Sequence, residues 1–238
     1  MVVARAQTWS VETLAYAPGR FADVFGDPAQ QTVLMWHGAQ TDARTAMRPL
    51  AELVAGHGLA VVVPDWNSHA DDGGRADLLR SVHFTRQRVK DSDNLVLVGW
   101  SLGAVAAAGV TIRSRDHGVR FAHTVCLAGP FMVRDPICGE HLASELPGSA
   151  NRSPFTVLHG LADDVVPVAA SRSFTSTLKQ NGWPVELVEL ATDHGAIAGA
   201  SYDPSADRYT AANDPDTLAV AADVATRIAV ALARETTS

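Results

Sequence analysis

Cysteine is scarce in this chain, with only Cys126 and Cys138 among 238 residues. Two thiols without any sign of export are expected to be reduced and structural. The nine histidines are scattered, and no HxH, HExxH or CxxC spacing occurs, so no metal site is expected. The nucleotide fingerprints GxGxxG and GxxxxGK[ST] are also missing, and we expect the protein to use no cofactor.

Long apolar runs and clusters of positive charge are missing too. No span of 18 apolar residues exists, and MVVARAQTWSVE at the N-terminus has no signal-peptide core. A cytoplasmic protein without a membrane span is therefore expected. The net charge is −7 and Lys and Arg are dispersed, which argues against nucleic acid as a partner. No Pro/Gly/Ser-rich linker divides the chain, so residues 1–238 are predicted to form one domain.

What the sequence does contain is a series of short apolar runs rich in β-branched residues. The first two include polar residues, as half-exposed antiparallel strands do, whereas several later ones are almost continuous Val and Leu, as strands covered on both faces are. The eight predicted strands cover residues 11–16, 21–25, 32–37, 59–64, 94–99, 122–128, 155–159 and 185–190.

Segments with helical periodicity separate the later strands, at 44–55, 74–89, 102–114 and 169–181, and another closes the chain at 216–233. This alternation predicts an α/β fold: a mostly parallel eight-stranded sheet with helices on both faces and an antiparallel N-terminal edge. Sheets of this kind place ligands at the carboxyl ends of their strands. Functional residues should therefore directly follow those ends.

The first such residue is Ser101, in the stretch Gly99-Trp100-Ser101-Leu102-Gly103. Gly-x-Ser-x-Gly between a strand and a helix is the nucleophile elbow, a sharp turn that holds a reactive serine clear of the sheet. The alternative is a chance match in a chain with 18 glycines. The strand before it and the helix after it favour Ser101 as a nucleophile.

Two further strand ends supply the other groups that such a serine needs. Asp163 and Asp164 follow one strand, where one carboxylate can orient a histidine while the other caps the next helix. His194 follows the last strand and is the best general-base candidate. The order Ser, Asp, His along the chain is the one that this fold requires.

A fourth strand end carries His37-Gly38-Ala39-Gln40. Acyl transfer needs backbone donors aimed at the developing oxyanion. We expect these to be the N–H groups of Leu102 and Ala39, with Gly38 as the second choice to Ala39. A structural role that shapes the loop is favoured for His37.

Residues expected to bind substrate are less sharply marked: Gly38, Gln40, Trp66, Phe131 and Met132. Core or rim packing would explain Phe131 and Met132 equally well. The polar segment 65–72 has no specific ligand spacing and is expected to be a solvated loop. The segment 202–216 is expected to be a surface loop that covers part of the site.

These residues together resemble the α/β-hydrolase superfamily, through WHGAQ (36–40), GWSLGA (99–104), LHGLADDVVPV (158–168) and DHG (193–195). The chain is most similar to compact serine carboxylesterases, including dienelactone-hydrolase-like and feruloyl-esterase-like proteins. The family pattern H-G-x-x-D-x-x-V-P implies that Asp163 is the triad acid. A short insertion at about 129–153 stands in place of a lid domain, which implies small or medium acyl substrates.

Two features depart from the family pattern. The oxyanion loop of many such esterases is His-Gly-Gly-Gly, whereas here it is His-Gly-Ala-Gln. Dienelactone hydrolases use a cysteine nucleophile, whereas position 101 is serine. The resemblance therefore implies a serine esterase rather than a dienelactone hydrolase.

The sequence is compatible with three functions. The first is hydrolysis of a small-molecule carboxylic ester by Ser101, His194 and Asp163. The second is thioester, amide or peptide hydrolysis by the same triad, since selectivity depends on pocket contacts that the sequence does not reveal. The third is a non-catalytic relative that binds a ligand or partner. The sequence indicates no oligomeric state.

Overall fold

The computed structural model describes residues 11–142, 146 and 152–235 of the chain. Much of the predicted insertion at 129–153, and the N-terminal residues 1–10, therefore lie outside the described residues. In the part of the insertion that is described, Asp135 organises a tight turn by accepting hydrogen bonds from the backbone N–H groups of Ile137 and Cys138.

Each of the eight predicted strands is confirmed, within a few residues at its ends. They form one sheet in the order β1-β2-β4-β3-β5-β6-β7-β8. The strands are β1 Glu12–Ala17, β2 Arg20–Phe25, β3 Thr32–Trp36, β4 Ala60–Pro64, β5 Val96–Trp100, β6 His123–Leu127, β7 Phe155–Gly160 and β8 Val185–Leu190.

The antiparallel N-terminal edge is also confirmed. Strand β2 pairs antiparallel with β1 on one side and with β4 on the other, and all remaining neighbours are parallel. The parallel strands β3 to β7 are fully buried, which explains why their sequences are mostly apolar, whereas β1 at the edge is partly exposed. The carboxyl ends of β3, β5, β7 and β8 consequently lie along one side of the sheet.

Five α-helices of the described residues cover the two faces of the sheet: α1 Arg48–Gly56, α2 Arg75–Arg86, α3 Leu102–Ile112, α4 Ala169–Gln180 and α5 Pro215–Glu235. Helices α1 and α5 share one core cluster on the face that receives Val33 and Met35. The alternate residue Leu34 contributes to a second cluster with α2 and α3, and α3 and α4 share a third. Both faces of the sheet are thus covered, as the strand pattern predicts.

The segment 202–216 differs from the expected surface loop. Most of it belongs to a hairpin, β9 Ala200–Asp203 and β10 Arg208–Ala211, and after a short loop at 212–214 the last two residues begin helix α5. The hairpin turn is held by Asp203, which accepts hydrogen bonds from the N–H groups of Ser205 and Ala206. Such turn chemistry dominates the local sequence, so two four-residue strands leave no clear periodic pattern.

No helix in the described portion of the chain is long and apolar enough to cross a membrane.

Candidate active site

Ser101 occupies a strained turn between β5 and α3. Its backbone has φ +54° and ψ −123°, which a residue with a side chain adopts only when its surroundings enforce it. The Ser101 N–H donates to the carbonyl of Leu127 in β6 at 2.9 Å. The side chain is thereby presented at the N-terminus of α3, where the helix dipole favours negative charge.

The two flanking glycines allow this turn to form. A Cβ on Gly99 would lie 2.2 Å from the carbonyl oxygen of Gly103, and one on Gly103 would lie 2.4 Å from the carbonyl oxygen of His37. The strand, the helix and the β3 loop therefore approach one another too closely for any side chain at these positions.

His194 stands directly against the serine. Its Nε2 atom is 3.1 Å from Ser101 Oγ, and the ring is buried. Two contacts hold the histidine loop: Trp100 Nε1 donates to the His194 carbonyl at 2.8 Å, and Asp193 Oδ1 accepts from the N–H groups of Gly195 and Ala196. The imidazole is therefore fixed within reach of the hydroxyl proton.

Asp163, and not Asp164, meets the histidine. Asp163 Oδ2 accepts a hydrogen bond from His194 Nδ1 at 2.8 Å, while its Oδ1 accepts from the N–H groups of Val165 and Val166. Asp164 is exposed. One oxygen of Asp163 thus orients the histidine and the other holds the turn before α4, whereas the expected cap on that helix is not found, because its N-cap residue is Val168 and no side chain hydrogen-bonds there.

The loops after β7 and β8 are joined beyond the strands themselves. The Leu161 N–H donates to the carbonyl of Leu190 at 2.7 Å, and the Ala162 N–H donates to that of Thr192 at 3.0 Å. A Cβ on Gly160 would lie 2.2 Å from the Thr192 carbonyl oxygen. This close approach sets the distance between Asp163 and His194.

A second histidine, His159, also contacts the aspartate, and our sequence reasoning gave it no role. It is fully buried at the end of β7, with Nε2 3.3 Å from Asp163 Oδ2 and 2.9 Å from the Val166 carbonyl. Both neighbours only accept, so Nε2 carries a hydrogen, and Nδ1 lies 2.7 Å from Ser171 Oγ. The one sequence feature that could have pointed to His159 is its place as the histidine of the segment HGLADDVVP.

These contacts determine the charge of Asp163. Burial would raise the pKa of this carboxyl, but the hydrogen bonds from His159 and His194 outweigh burial and hold the pKa below its usual range. Asp163 is consequently ionised throughout the neutral range, as a group that stabilises an imidazolium must be.

The loop after β3 borders the serine. A Cβ on Gly38 would lie 3.0 Å from Ser101 Cβ and 3.5 Å from its Oγ, so the space between the Gly38 backbone and the serine leaves no room for a side chain. Among the described residues, the N–H groups of Ala39 and Leu102 donate to no protein acceptor. Leu102 directly follows Ser101 and Ala39 directly follows Gly38, and neither N–H is committed to another protein group in this part of the chain.

The buried side chain of His37 holds this loop in place through three hydrogen bonds. Its Nδ1 donates to the Gly38 carbonyl at 2.9 Å, and its Nε2 accepts from the N–H groups of Ala43 and Trp66. Burial lowers the pKa of His37 to about 3, so the ring is neutral at neutral pH. Its contacts require that neutral form, because a protonated Nε2 could no longer accept.

Gln40 ties the loop to the β9–β10 hairpin. Its Oε1 accepts from the Tyr209 N–H at 2.5 Å, and its Nε2 donates to the Tyr209 carbonyl at 3.2 Å. The Tyr209 ring packs edge-on against Trp100 and lies 5.8 Å from the ring of His194. Gln40, expected to bind substrate, is therefore engaged with the backbone of the hairpin.

Trp66, Phe131 and Met132 were also expected to bind substrate, and the first two lie in the core instead. Trp66 is fully buried and stacks on His37, and its indole N–H donates to the His37 carbonyl. Phe131 is also buried, because it stacks on Phe174 of α4 with ring centroids 3.9 Å apart. The structure therefore places these two rings in the core and away from open space. Met132 is half exposed.

A cavity of about 580 Å³ opens beside His194, and our sequence reasoning did not anticipate its lining. The loops after β7 and β8, the hairpin and the start of α5 surround it. Its lining residues are Ala162, Asp164, Val165, Asp193, His194, Gly195, Ala200, Ser201, Tyr202, Tyr209 and Thr217. Within the described residues, no group of three or more His, Cys, Asp or Glu side chains could hold a metal ion.

Comparison with known proteins rests on structure, since no protein-family model and no curated protein matches the sequence. An esterase from Thermogutta terrifontis, solved with butyrate bound, is 17% identical, with a TM-score of 0.68 over 93% of this chain and 94% of its own. EstE5, soaked with p-nitrophenyl butyrate, is 16% identical, with a TM-score of 0.69 over 97% and 87%.

An S-formylglutathione hydrolase from Staphylococcus aureus is 17% identical, with a TM-score of 0.64 over 98% of this chain and 99% of its own. These likenesses extend over almost the whole chain, and they agree with the sheet order and the antiparallel edge described above. The chain has the α/β-hydrolase fold of compact esterases.

Proposed function

We propose that this protein is a serine hydrolase that cleaves carboxylic esters through an acyl-enzyme. Ser101 Oγ attacks the ester carbonyl while His194 Nε2 accepts its proton, and Asp163 stabilises the imidazolium. The N–H groups of Leu102 and Ala39 bind the oxyanion. His194 then protonates the departing alcohol, and a water molecule, deprotonated by the same histidine, releases the acid.

The observation that carries this proposal is the continuous hydrogen-bonded chain from serine to aspartate. The distance from Ser101 Oγ to His194 Nε2 is 3.1 Å, and that from His194 Nδ1 to Asp163 Oδ2 is 2.8 Å. Both lie within the range that proton transfer and orientation require. The three residues come from three different strand ends, so neighbouring positions in sequence do not account for their meeting.

Small or medium acyl groups are the proposed substrates. Two of the structural neighbours were solved with butyrate or after soaking with p-nitrophenyl butyrate, which supports short acyl chains as the first to test. We also propose that residues 1–238 act as one domain, with the segment 129–153 in place of a lid.

Labelling by a fluorophosphonate probe and turnover of p-nitrophenyl esters from acetate to octanoate test the proposal. The native protein should label and hydrolyse, while Ser101→Ala should not label and should lose at least about 10³-fold in kcat. Asp163→Asn should lose about 10⁴-fold, because asparagine favours the wrong tautomer of the histidine. Ser173→Ala, an exposed serine on α4, is the matched control and should behave like the native protein.

Failure of the native protein to label and to turn over any ester would refute an active serine hydrolase and favour a binding protein with this fold. Full activity in Ser101→Ala would refute the assigned nucleophile.

Thioester hydrolysis is the second candidate, because an S-formylglutathione hydrolase is among the structural neighbours. The same triad would serve, with a thiolate in place of an alkoxide as the leaving group. Parallel rates on an ester, a thioester and an amide with the same acyl group separate these activities. A kcat/KM for the thioester well above that for the ester would favour the second candidate.

A further inference from the structure

We propose that the cavity beside His194 binds an ammonium group carried by the alcohol part of the substrate. This inference rests on the proposed esterase function and names the class of leaving group that the site prefers. It is carried by the position of the cavity, the charge of its lining and its aromatic walls.

The position of the cavity assigns it to the leaving group. His194 lines the cavity, whereas Ser101 and the Gly38–Ala39 loop do not. In ester hydrolysis the histidine donates its proton to the departing oxygen, so the alcohol lies on the histidine side of the reacting carbon. A volume of about 580 Å³ on that side accommodates a substituted alcohol.

The lining carries negative charge and no positive charge. Asp164 and Asp193 both contribute exposed carboxylates, and no Lys or Arg side chain lines the cavity. In the part of the chain that is described, Asp164 has no hydrogen bond or ion pair, and Asp193 uses only Oδ1 for the backbone turn. One carboxylate and one further carboxylate oxygen are therefore free for a ligand.

Further aspartates in the segment that surrounds the cavity add to its negative charge. Residues 193–216 contain five aspartates and a single arginine. Burial raises the pKa of Tyr209 to about 12, and the nearby carboxylates of Asp163, Asp164 and Asp193 add to that rise. An anionic leaving group would be repelled here, whereas a cation would be attracted.

Two aromatic rings complete the cation-binding character of the cavity. Tyr202 and Tyr209 face each other across the hairpin with centroids 5.4 Å apart at 59°, and Tyr202 is half exposed. The Tyr202 hydroxyl donates to Asp207 at 2.5 Å, which holds its ring in place. Aromatic faces beside carboxylates bind ammonium groups through cation–π and Coulomb attraction, and quaternary ammonium is the group that such walls suit best.

A pair of esters of equal shape tests the charge directly. Acetylcholine and 3,3-dimethylbutyl acetate differ by nitrogen in place of carbon, so the ratio of their kcat/KM values isolates the contribution of the cation. We expect the native protein to favour acetylcholine by at least about threefold at low salt, and the preference to shrink as ionic strength rises.

Substitutions in the cavity test whether the preference for acetylcholine arises there. Asp164→Asn should reduce the ratio by about twofold to fivefold, as the loss of one exposed charge contact does. Tyr202→Leu should also reduce it, because the ring face is lost. The matched control is Asp71→Asn, an exposed aspartate in the 65–72 loop, which should leave the ratio unchanged. An equal loss in Asp71→Asn would show a general field effect and overturn the assignment to this cavity.

Two readouts separate failure of this inference from failure of the proposed function. Hydrolysis of both esters with a ratio near one in native protein and Asp164→Asn overturns the cation site while leaving the esterase intact. Binding of tetramethylammonium to Ser101→Ala, measured by calorimetry, does not need turnover. Binding that weakens in Asp164→Asn supports the cavity even if no ester is hydrolysed, and no detectable binding overturns it.

Discussion

His159 Nε2 and Asp163 Oδ2 lie 3.3 Å apart, and the same carboxylate oxygen accepts the 2.8 Å hydrogen bond from His194. One oxygen thus joins two imidazoles, one of them fully buried and held by Ser171. The buried ring fixes the position of the carboxylate, which in turn orients the ring that faces Ser101.

We expect replacement of His159, the buried hydrogen-bond donor to Asp163, to lower activity. His159→Leu should reduce kcat by about tenfold or more and destabilise the fold by about 1–3 kcal/mol, because a buried acceptor loses a partner. His159→Gln can keep an N–H donor near Asp163 and should recover part of kcat. Kinetics on a p-nitrophenyl ester, with urea unfolding alongside, measure both effects. A kcat in His159→Leu equal to native would contradict the role.

His37 should make the protein sensitive to acid. Its pKa is about 3 in the fold against 6.5 for an unperturbed histidine, so the unfolded chain binds the extra proton first as pH falls. This contribution to stability is complete above about pH 6.5 and decreases from there toward pH 3, with a slope of up to about 1.4 kcal/mol per pH unit.

Unfolding by urea at pH 7, 6, 5 and 4 measures that slope. His37→Gln should be less stable at pH 7 but should lose less stability on acidification than the native protein. His57→Gln, at an exposed histidine, should keep the native slope. Parallel curves for the native protein and His37→Gln would show that acid acts elsewhere.

Gln40 is expected to position the loop that carries Ala39. Gln40→Ala removes both hydrogen bonds to the Tyr209 backbone, so the proposed oxyanion donor is less well held. We expect kcat to fall by about tenfold with little change in KM, since the donor acts mainly in the transition state. Steady-state kinetics check this, with Gln180→Ala, exposed on α4, as the control. A rise in KM alone would instead indicate substrate binding by Gln40.

Gly103 should tolerate no side chain. In Gly103→Ala the new Cβ would lie 2.4 Å from the His37 carbonyl oxygen and 2.6 Å from that of Trp36, so backbone must move. We expect a loss of at least about 1–3 kcal/mol in unfolding free energy, together with reduced labelling of Ser101. Gly56→Ala at the end of α1, where a Cβ meets nothing within 4 Å, should be close to neutral. Equal stability of both variants would contradict the tight elbow.

The sheet was predictable because buried parallel strands must be apolar along their whole length. Val96–Trp100 is such a run and is buried throughout, and Phe155–Gly160 is buried in the same way although it contains Thr156 and His159. Residues directly after these strands were predictable as site candidates because parallel strands end on the same side of the sheet. The β9–β10 hairpin was not predictable, since its four-residue strands are too short to show a period.

Aromatic side chains were the least predictable part of the candidate site. Trp66 and Phe131 both lie close to a strand end in sequence, which suggested contact with substrate. In the fold Trp66 stacks on His37 and Phe131 stacks on Phe174, so both rings are buried. The direction of a loop side chain depends on which neighbours offer apolar surface, and local sequence does not contain that information.

The sequence by itself determined the eight strands, their parallel core and the strand ends at which Ser101, Asp163 and His194 stand, because hydrophobic period and turn chemistry are local properties. Only the tertiary structure decided that His159 shares the carboxylate oxygen of Asp163 that meets His194. Only it joined Gln40 to Tyr209, 169 residues along the chain, and opened a cavity beside His194. Such contacts depend on the packing of segments that are distant in sequence, as the close backbone approach of Gly160 to Thr192 shows.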